Sequence, residues 1–292
     1  MGQGIVEINF LPITELDIEL TDRCNAKCPM CTRTIGNYKG ENDLSFQHIK
    51  NVVSSKYTDV KSVILCGNLG DPMIHHDIYD IINFLNNKNI SVNVNTNGSI
   101  QSERLWSDLG KLKNLVVSFH IDGDENTNHI YRVKTNYNKI IKNAKSYINS
   151  GGKAKWVFIP FEHNYHVLNK VKKLSFNLGF QKFEILESFR QELPHIKPIK
   201  ILEQYEKRSL CKLQEKSIFI TCEGDVLPCC WQGSDFYENK RLDHNSFPVL
   251  DFNINLNVNK FDDIVLNYER LEKNIVKTWK TNRTCLRKCE IQ

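Results

Sequence analysis

The sequence predicts an α/β chain built on a parallel sheet, followed by a smaller region of different composition. Three observations carry this. Between residues 14 and 186, six short apolar runs alternate with five stretches of helical spacing, the signature of repeated βαβ units. The alternation stops near residue 187, where Pro194 and Pro198 interrupt a polar stretch. Six of the ten cysteines of this 292-residue chain then follow. Units of roughly 30 residues fit either an incomplete barrel or an open doubly wound sheet. In both, chemistry gathers at the carboxyl ends of the strands.

The strands are expected near 14–20, 61–66, 90–95, 114–121, 154–160 and 181–186, and the helices near 45–56, 76–88, 101–112, 135–149 and 164–178. Ile78, Ile81, Ile82 and Leu85 recur at helical spacing, as do Tyr137, Ile140, Ile141, Ala144, Tyr147 and Ile148. Asn87-Lys88-Asn89 and Gly151-Gly152 supply the breaks. Further on, 217–221 and 226–228 flank Glu223-Gly224-Asp225 and read as a hairpin. Phe252, Ile254, Leu256 and Val258 alternate like a half-buried strand, and a helix is expected near 261–279.

Composition narrows the class. Hydrophobic residues make up 40% and charged residues 25%, the balance of a folded chain. No apolar run approaches the ~20 residues of a membrane span, so no membrane partner is expected. The first ten residues lack the basic and apolar segments of a signal peptide, and Val6 stands where myristoylation needs Ser or Thr. The expected location is cytoplasmic, where clustered thiols more often hold metal than disulfides. Lys and Arg number 39 against 34 acidic residues, and the surplus of +5 reads as a solvated surface, which disfavours nucleic acid as a partner.

Cys24, Cys28 and Cys31 follow the first strand with the spacing C-x3-C-x2-C. Three thiolates on one loop can grip three corners of an iron–sulfur cubane and leave one iron without a protein ligand. A structural zinc would want a fourth ligand, so a zinc knuckle completed from a distance is the alternative. The segment resembles the cluster loop of the radical S-adenosylmethionine (SAM) enzymes. Gly67-Asn68-Leu69-Gly70-Asp71-Pro72 after the second strand looks like that family's Gly-Gly-Glu-Pro motif, with Asp71 for Glu and a longer turn. Asn95-Thr96-Asn97-Gly98 is similar to the segment that approaches the SAM ribose and methionine. Ser118, Asp122-Gly123 and Arg132 resemble a pattern of the peptide-modifying branch.

The resemblance implies a partial (β/α)6 TIM-type barrel over residues 1–190. It implies a [4Fe-4S] cluster on Cys24, Cys28 and Cys31 as the catalytic centre, and SAM as cosubstrate. Contacts to SAM would come from Gly67, Gly70, Asp71, Pro72, Asn95, Asn97, Ser118 and Arg132. It further implies an external electron donor of flavodoxin or ferredoxin type. His120, in the fourth strand near this site, is a candidate for touching substrate, while His75 and His76 are expected to begin a surface helix.

Cys211 is followed by twelve residues, Gly224, four residues and Cys229; Cys285 and Cys289 come later. On ligand type alone zinc would fit four such cysteines. The pattern resembles the SPASM and twitch auxiliary domains, which implies a linker at 191–210 and a small hairpin-plus-helix domain at 211–292. It would hold one auxiliary [4Fe-4S] cluster on Cys211, Cys229, Cys285 and Cys289, leaving Cys222 and Cys230 unassigned. Cys66 ends an apolar run and is expected to pack as a small hydrophobe, and Trp231 to pack within the small domain. The function implied is hydrogen abstraction after SAM cleavage, with net oxidation or crosslinking of a peptide or small molecule. With about thirteen residues before the first strand, no leader-binding domain is expected there, and a peptide carried in by a separate protein stays open. An RNA- or nucleotide-modifying enzyme and a zinc-stabilised nucleic-acid-binding module are the alternatives.

Overall fold

Strand order separates the two architectures that the sequence leaves open. The computed structural model describes residues 12–188, 190, 193–200, 216–227, 229–231, 233 and 254–266. In chain order its elements are β1 (Ile13–Ile18), α1 (Thr32–Ile35), α2 (Phe46–Val53), β2 (Thr58–Leu65), α3 (Ile78–Asn87), β3 (Ser91–Thr96), α4 (Glu103–Gly110), β4 (Leu115–His120), α5 (Asn128–Tyr131), α6 (Tyr137–Asn149), β5 (Lys153–Phe158), α7 (Leu168–Asn177), β6 (Lys182–Ile185), β7 (Ser217–Ile220) and β8 (Val226–Leu227). All six strands and five helices expected between 14 and 186 are present. They form one open sheet in the order β6-β5-β4-β3-β2-β1-β7-β8, with β1 to β6 parallel and sequential. A doubly wound sheet reverses its strand order at a switch point. This one does not, so it curves as part of a barrel.

The two faces of the sheet differ in chemistry. Leu16 and Ile18 of β1, Val63 and Leu65 of β2, Val92 and Val94 of β3, Val117 and Phe119 of β4, and Trp156 of β5 share one core with the helices. From the helices come Ile49 and Val52, Ile78, Ile81, Ile82 and Leu85, Trp106 and Leu109, Ile140 and Tyr147. Ser45, Ser102 and Asn136 cap α2, α4 and α6 by accepting the N–H groups of Gln47, Leu105 and Lys139. Residues one step out of phase face the other way, as period-two strands require. Most of them are polar, among them Glu15, Asp17, Asn93, Asn95, Ser118 and His120, while Ile64, Val116 and Val157 are apolar. Register places Asn95 beside Ser118 and Ser118 beside Lys155.

The hairpin of β7 and β8 forms as expected, and β7 adds to the barrel sheet by pairing parallel with β1. The strand expected around 252–258 is not formed in its described part. Asn255 makes a single antiparallel bridge to Asp225, and residues 256–258 turn. The side chains of Asn255 and Asn257 bond to the Glu223 carbonyl, and Asn255 also to Asp225, competing with a ladder. Residues 261–266 are helical, burying Phe261, Ile264 and Val265; the rest of that expected helix lies outside the described residues.

Three single-residue expectations change. His75 does not lie on the surface; it is buried ahead of α3, its Nε2 against the Leu44 carbonyl at 3.0 Å and its Nδ1 taking the Asp77 N–H at 3.1 Å. Only His76 is exposed. Cys66 is absent from the apolar core and sits half-buried on the polar face, its thiol pushed up to about 12 by burial, with Asp17 and Glu19 adding. Alternation decides this: Val63 and Leu65 take the helix side, which leaves the next residue to the inner face. Trp231 is exposed. No helix among the described residues is long and apolar enough to cross a membrane.

Candidate active site at the strand mouth

The loop after β1 carries the three cysteines and is folded back on itself. Asp22 accepts the backbone N–H and the Nδ2 of Asn42, both at 2.9 Å, and Arg23 pairs with Asp43. Cys28 and its neighbours Ala26 and Met30 are buried with Tyr131, Phe161 and Ile196 in a second, smaller apolar cluster, against which Cys24 and Cys31 pack. The rings of Tyr131 and Phe161 lie 4.4 Å apart beneath the loop. This patch shields the Cys28 thiol from water, while Cys24 and Cys31 are half-buried.

The loop after β2 docks directly on the cysteine loop. Asp71 N–H donates to the Arg23 carbonyl at 2.9 Å. Gly70 lies so near Thr21 that a Cβ there would sit 1.7 Å from the Thr21 carbonyl oxygen, and one on Gly67 would sit 2.5 Å from the Gly70 oxygen. Both glycines are required by close backbone approach. Pro72 opens a short 3₁₀ turn, Pro72–Ile74, whose Met73 N–H Asp71 accepts at 3.0 Å.

Asp71 also takes Thr96 Oγ1 at 2.9 Å, Asn97 N–H at 2.8 Å and Asn97 Nδ2 at 2.6 Å. Its carboxylate thus ties the end of β2 to the end of β3. Burial pushes this carboxyl up, against the pull of those donors. Asn97 Nδ2 also reaches Asn25 Oδ1 at 2.9 Å and the Cys24 sulfur at 3.9 Å. Beyond β4, Asp122 is fully buried and binds Arg132 Nε at 2.6 Å and the Ile159 N–H at 2.7 Å. Arg132 Nη1 then faces the Cys28 sulfur at 4.0 Å.

The structure therefore brings together Cys24, Cys28, Cys31, Gly67, Gly70, Asp71, Pro72, Asn97 and Arg132. Ser118 is set deeper: its hydroxyl bonds Asn93 Oδ1 at 3.3 Å, while His120, one pleat repeat nearer the mouth, meets Asn95 Oδ1 at 3.3 Å. Burial, reinforced by Arg132 and Arg190, pulls the His120 imidazole down to about 3, so it is neutral. Sequence reasoning missed Arg190, whose Nη1 donates to the Met30 carbonyl at 3.2 Å. It lies past β6 in a segment with no motif. Thr96, missed as well, could have been read from its place between Asn95 and Asn97.

The thiols suit a cationic group. Burial pushes Cys24 up to about 12, with Asp71, Cys28 and Cys31 adding, and burial raises Cys28 against the pull of Arg132. Three thiolates this close need compensating positive charge, which an iron–sulfur cluster brings. The model of the radical SAM superfamily matches residues 18–165, just over half of the chain. The chain belongs to the radical SAM superfamily. Membership implies SAM and a [4Fe-4S] cluster.

Among the relatives of this radical SAM chain is a protein of Pyrococcus horikoshii named probable GTP 3',8-cyclase. It is 30% identical over 165 residues, 55% of this chain and 49% of the relative. A Pyrococcus furiosus protein named tungsten-containing aldehyde ferredoxin oxidoreductase cofactor-modifying protein is 25% identical over 109 residues, 37% of this chain and 30% of the relative. The matched segments thus span half or less of these relatives. Among solved structures, SuiB of Streptococcus suis bound to S-adenosylmethionine has a TM-score of 0.58 at 15% identity, covering 82% of this chain and 63% of that one. The structure of anSMEcpe with bound AdoMet has a TM-score of 0.59 at 15% identity, over 74% of this chain and 75% of that one. At such identities the likeness is one of fold: an open, partial TIM-type barrel.

Of the auxiliary cysteines, Cys211, Cys285 and Cys289 lie outside the described residues. Cys229 and Cys230 follow β8 next to the inner face, where Asn68 Nδ2 donates to the Cys230 carbonyl at 3.1 Å and Asp17 interacts with the Cys230 thiol. Cys222 is buried in the hairpin turn.

Proposed function

We propose that this chain cleaves SAM reductively and uses the resulting radical to oxidise or crosslink a peptide or small molecule. The observation that carries the reading is the meeting of Cys24, Cys28 and Cys31 with the Gly67–Pro72 loop and the end of β3. When bound, the cluster supplies the electron that splits SAM into methionine and a 5′-deoxyadenosyl radical, which takes a hydrogen atom from substrate. The chain's own residues hold and enclose. Cys24, Cys28 and Cys31 bind; the backbone of Gly67 and Gly70, with Asp71 and Pro72, shapes one wall for SAM. Asn95, Asn97, Ser118 and Arg132 line the adjoining side, and Met30, Tyr131 and Phe161 exclude water beneath the loop.

Cys211, Cys229, Cys285 and Cys289 are assigned here to one auxiliary [4Fe-4S] cluster in a domain beginning at residue 211, which would carry an electron away from a substrate radical. A flavodoxin- or ferredoxin-type protein would supply the first electron. A second reading, a nucleotide substrate, is supported by relatives named for GTP cyclisation.

Anaerobic reconstitution with iron and sulfide tests the reading. The wild-type chain should turn brown with iron and sulfide bound, and the triple variant C24A/C28A/C31A should lose a large part of both. Zinc in place of iron, or equal iron in the two proteins, contradicts it.

A further inference from the structure

Each thiol of the cysteine loop is met by a side-chain N–H donor, and each of these side chains follows a different strand. Asn97, after β3, points Nδ2 at Cys24 from 3.9 Å. Arg132, after β4, points Nη1 at Cys28 from 4.0 Å. Arg190, after β6, donates Nη1 to the Met30 carbonyl at 3.2 Å and lies against the Cys31 thiol. Two of the three are cations. They are unequal, because Arg132 is ion-paired with the buried Asp122, whereas Arg190 has no carboxylate partner among the described residues.

We propose that Arg190, aided by Arg132, is a positioning residue that sets the reduction potential of the centre held by Cys24, Cys28 and Cys31. The inference rests on the reading that these thiols hold a cluster. Reduction adds an electron to a group already enclosed by thiolates and low-dielectric side chains. A fixed cation and N–H donors at the sulfurs favour the more negative, reduced state and so raise the potential. Arg190 carries the larger share, since the charge of Arg132 is offset by Asp122.

The test is an anaerobic redox titration of reconstituted protein, followed by the electron-spin signal of the reduced cluster, with SAM affinity measured alongside. Arg190→Gln removes the charge and keeps an amide donor. It should lower the reduced-to-oxidised ratio at a fixed potential about tenfold, a shift of about 59 mV for one electron. Arg190→Lys should restore most of this. An unchanged midpoint in R190Q overturns the proposal, as does R190K falling as far as R190Q. A tenfold loss of SAM affinity at an unchanged midpoint also overturns it, making Arg190 a contact to the SAM carboxylate. Should R190Q take up no iron, the neutral pair D122N/R132Q is titrated instead. A downward shift smaller than tenfold is then expected, and an unchanged or raised midpoint contradicts the idea. If the wild type itself binds no iron, it is the cluster reading that fails.

Discussion

Asn97 gives both its backbone N–H and its side-chain amide to the Asp71 carboxylate, at 2.8 and 2.6 Å, while the same amide nitrogen approaches the Cys24 sulfur. One buried carboxylate thereby fixes the ends of β2 and β3 relative to the cysteine loop. With four donors on two oxygens, it has filled the acceptor capacity of an ionised carboxylate.

Asp71→Asn replaces one acceptor oxygen by an amino group facing N–H donors. The loss of charge-assisted bonds and the unpaired donors should cost about 3 kcal/mol. Chemical denaturation should show it, together with weaker SAM binding. Stability within a few tenths of wild type would contradict the bracing role.

Gly70→Ala should be among the most damaging small substitutions on the polar side of the sheet. Its Cβ would fall 1.7 Å from a backbone oxygen of Thr21, which cannot swing aside as a side chain can. The two loops must part, so the expected outcome is insoluble protein or a soluble one that no longer binds SAM. Tight SAM binding in G70A would show that the loops need not touch.

Arg132→Met leaves the Asp122 carboxylate, fully buried, without its cation. Breaking a buried pair from one side should cost about 3–5 kcal/mol. Asp122→Asn with Arg132→Met should recover part of that, and a double-mutant cycle checks it. Purely additive effects would mean that the pair is not coupled.

His120 titrates near 3 in the folded chain against an ordinary 6.5. The unfolded chain therefore binds the extra proton first, and folding stability falls as pH drops from 6.5 toward 3. His120→Gln cannot take that proton, so its stability should decline less over the same range. Unfolding curves at a series of pH values measure this, and parallel declines would place His120 in contact with water.

Much of the barrel was legible because its signal is local. Alternation marks β1 to β6, and the apolar stripes of α3 and α6 face the sheet they cover. The cysteine spacing and the Gly67–Pro72 turn were equally plain. What escaped depended on contacts distant in sequence. Cys66 ends an apolar run, yet pleat parity turns it to the inner face. His75 is buried with both ring nitrogens satisfied, by the Leu44 carbonyl 31 positions away and by the Asp77 N–H. Arg190 reaches Met30 across 160 positions, and no motif announces that. The alternation at 252–258 promised a strand, but Asn255 and Asn257 use their amides to bond the hairpin turn.

The central claim is that the three-cysteine loop cleaves SAM, and the most direct measurement is 5′-deoxyadenosine released under strong reductant without oxygen. The reconstituted wild type should release it together with methionine in equal amounts, and Cys28→Ala should release none above the protein-free background. Equal release by the two proteins, or none by an iron-loaded wild type that binds SAM, would contradict the account.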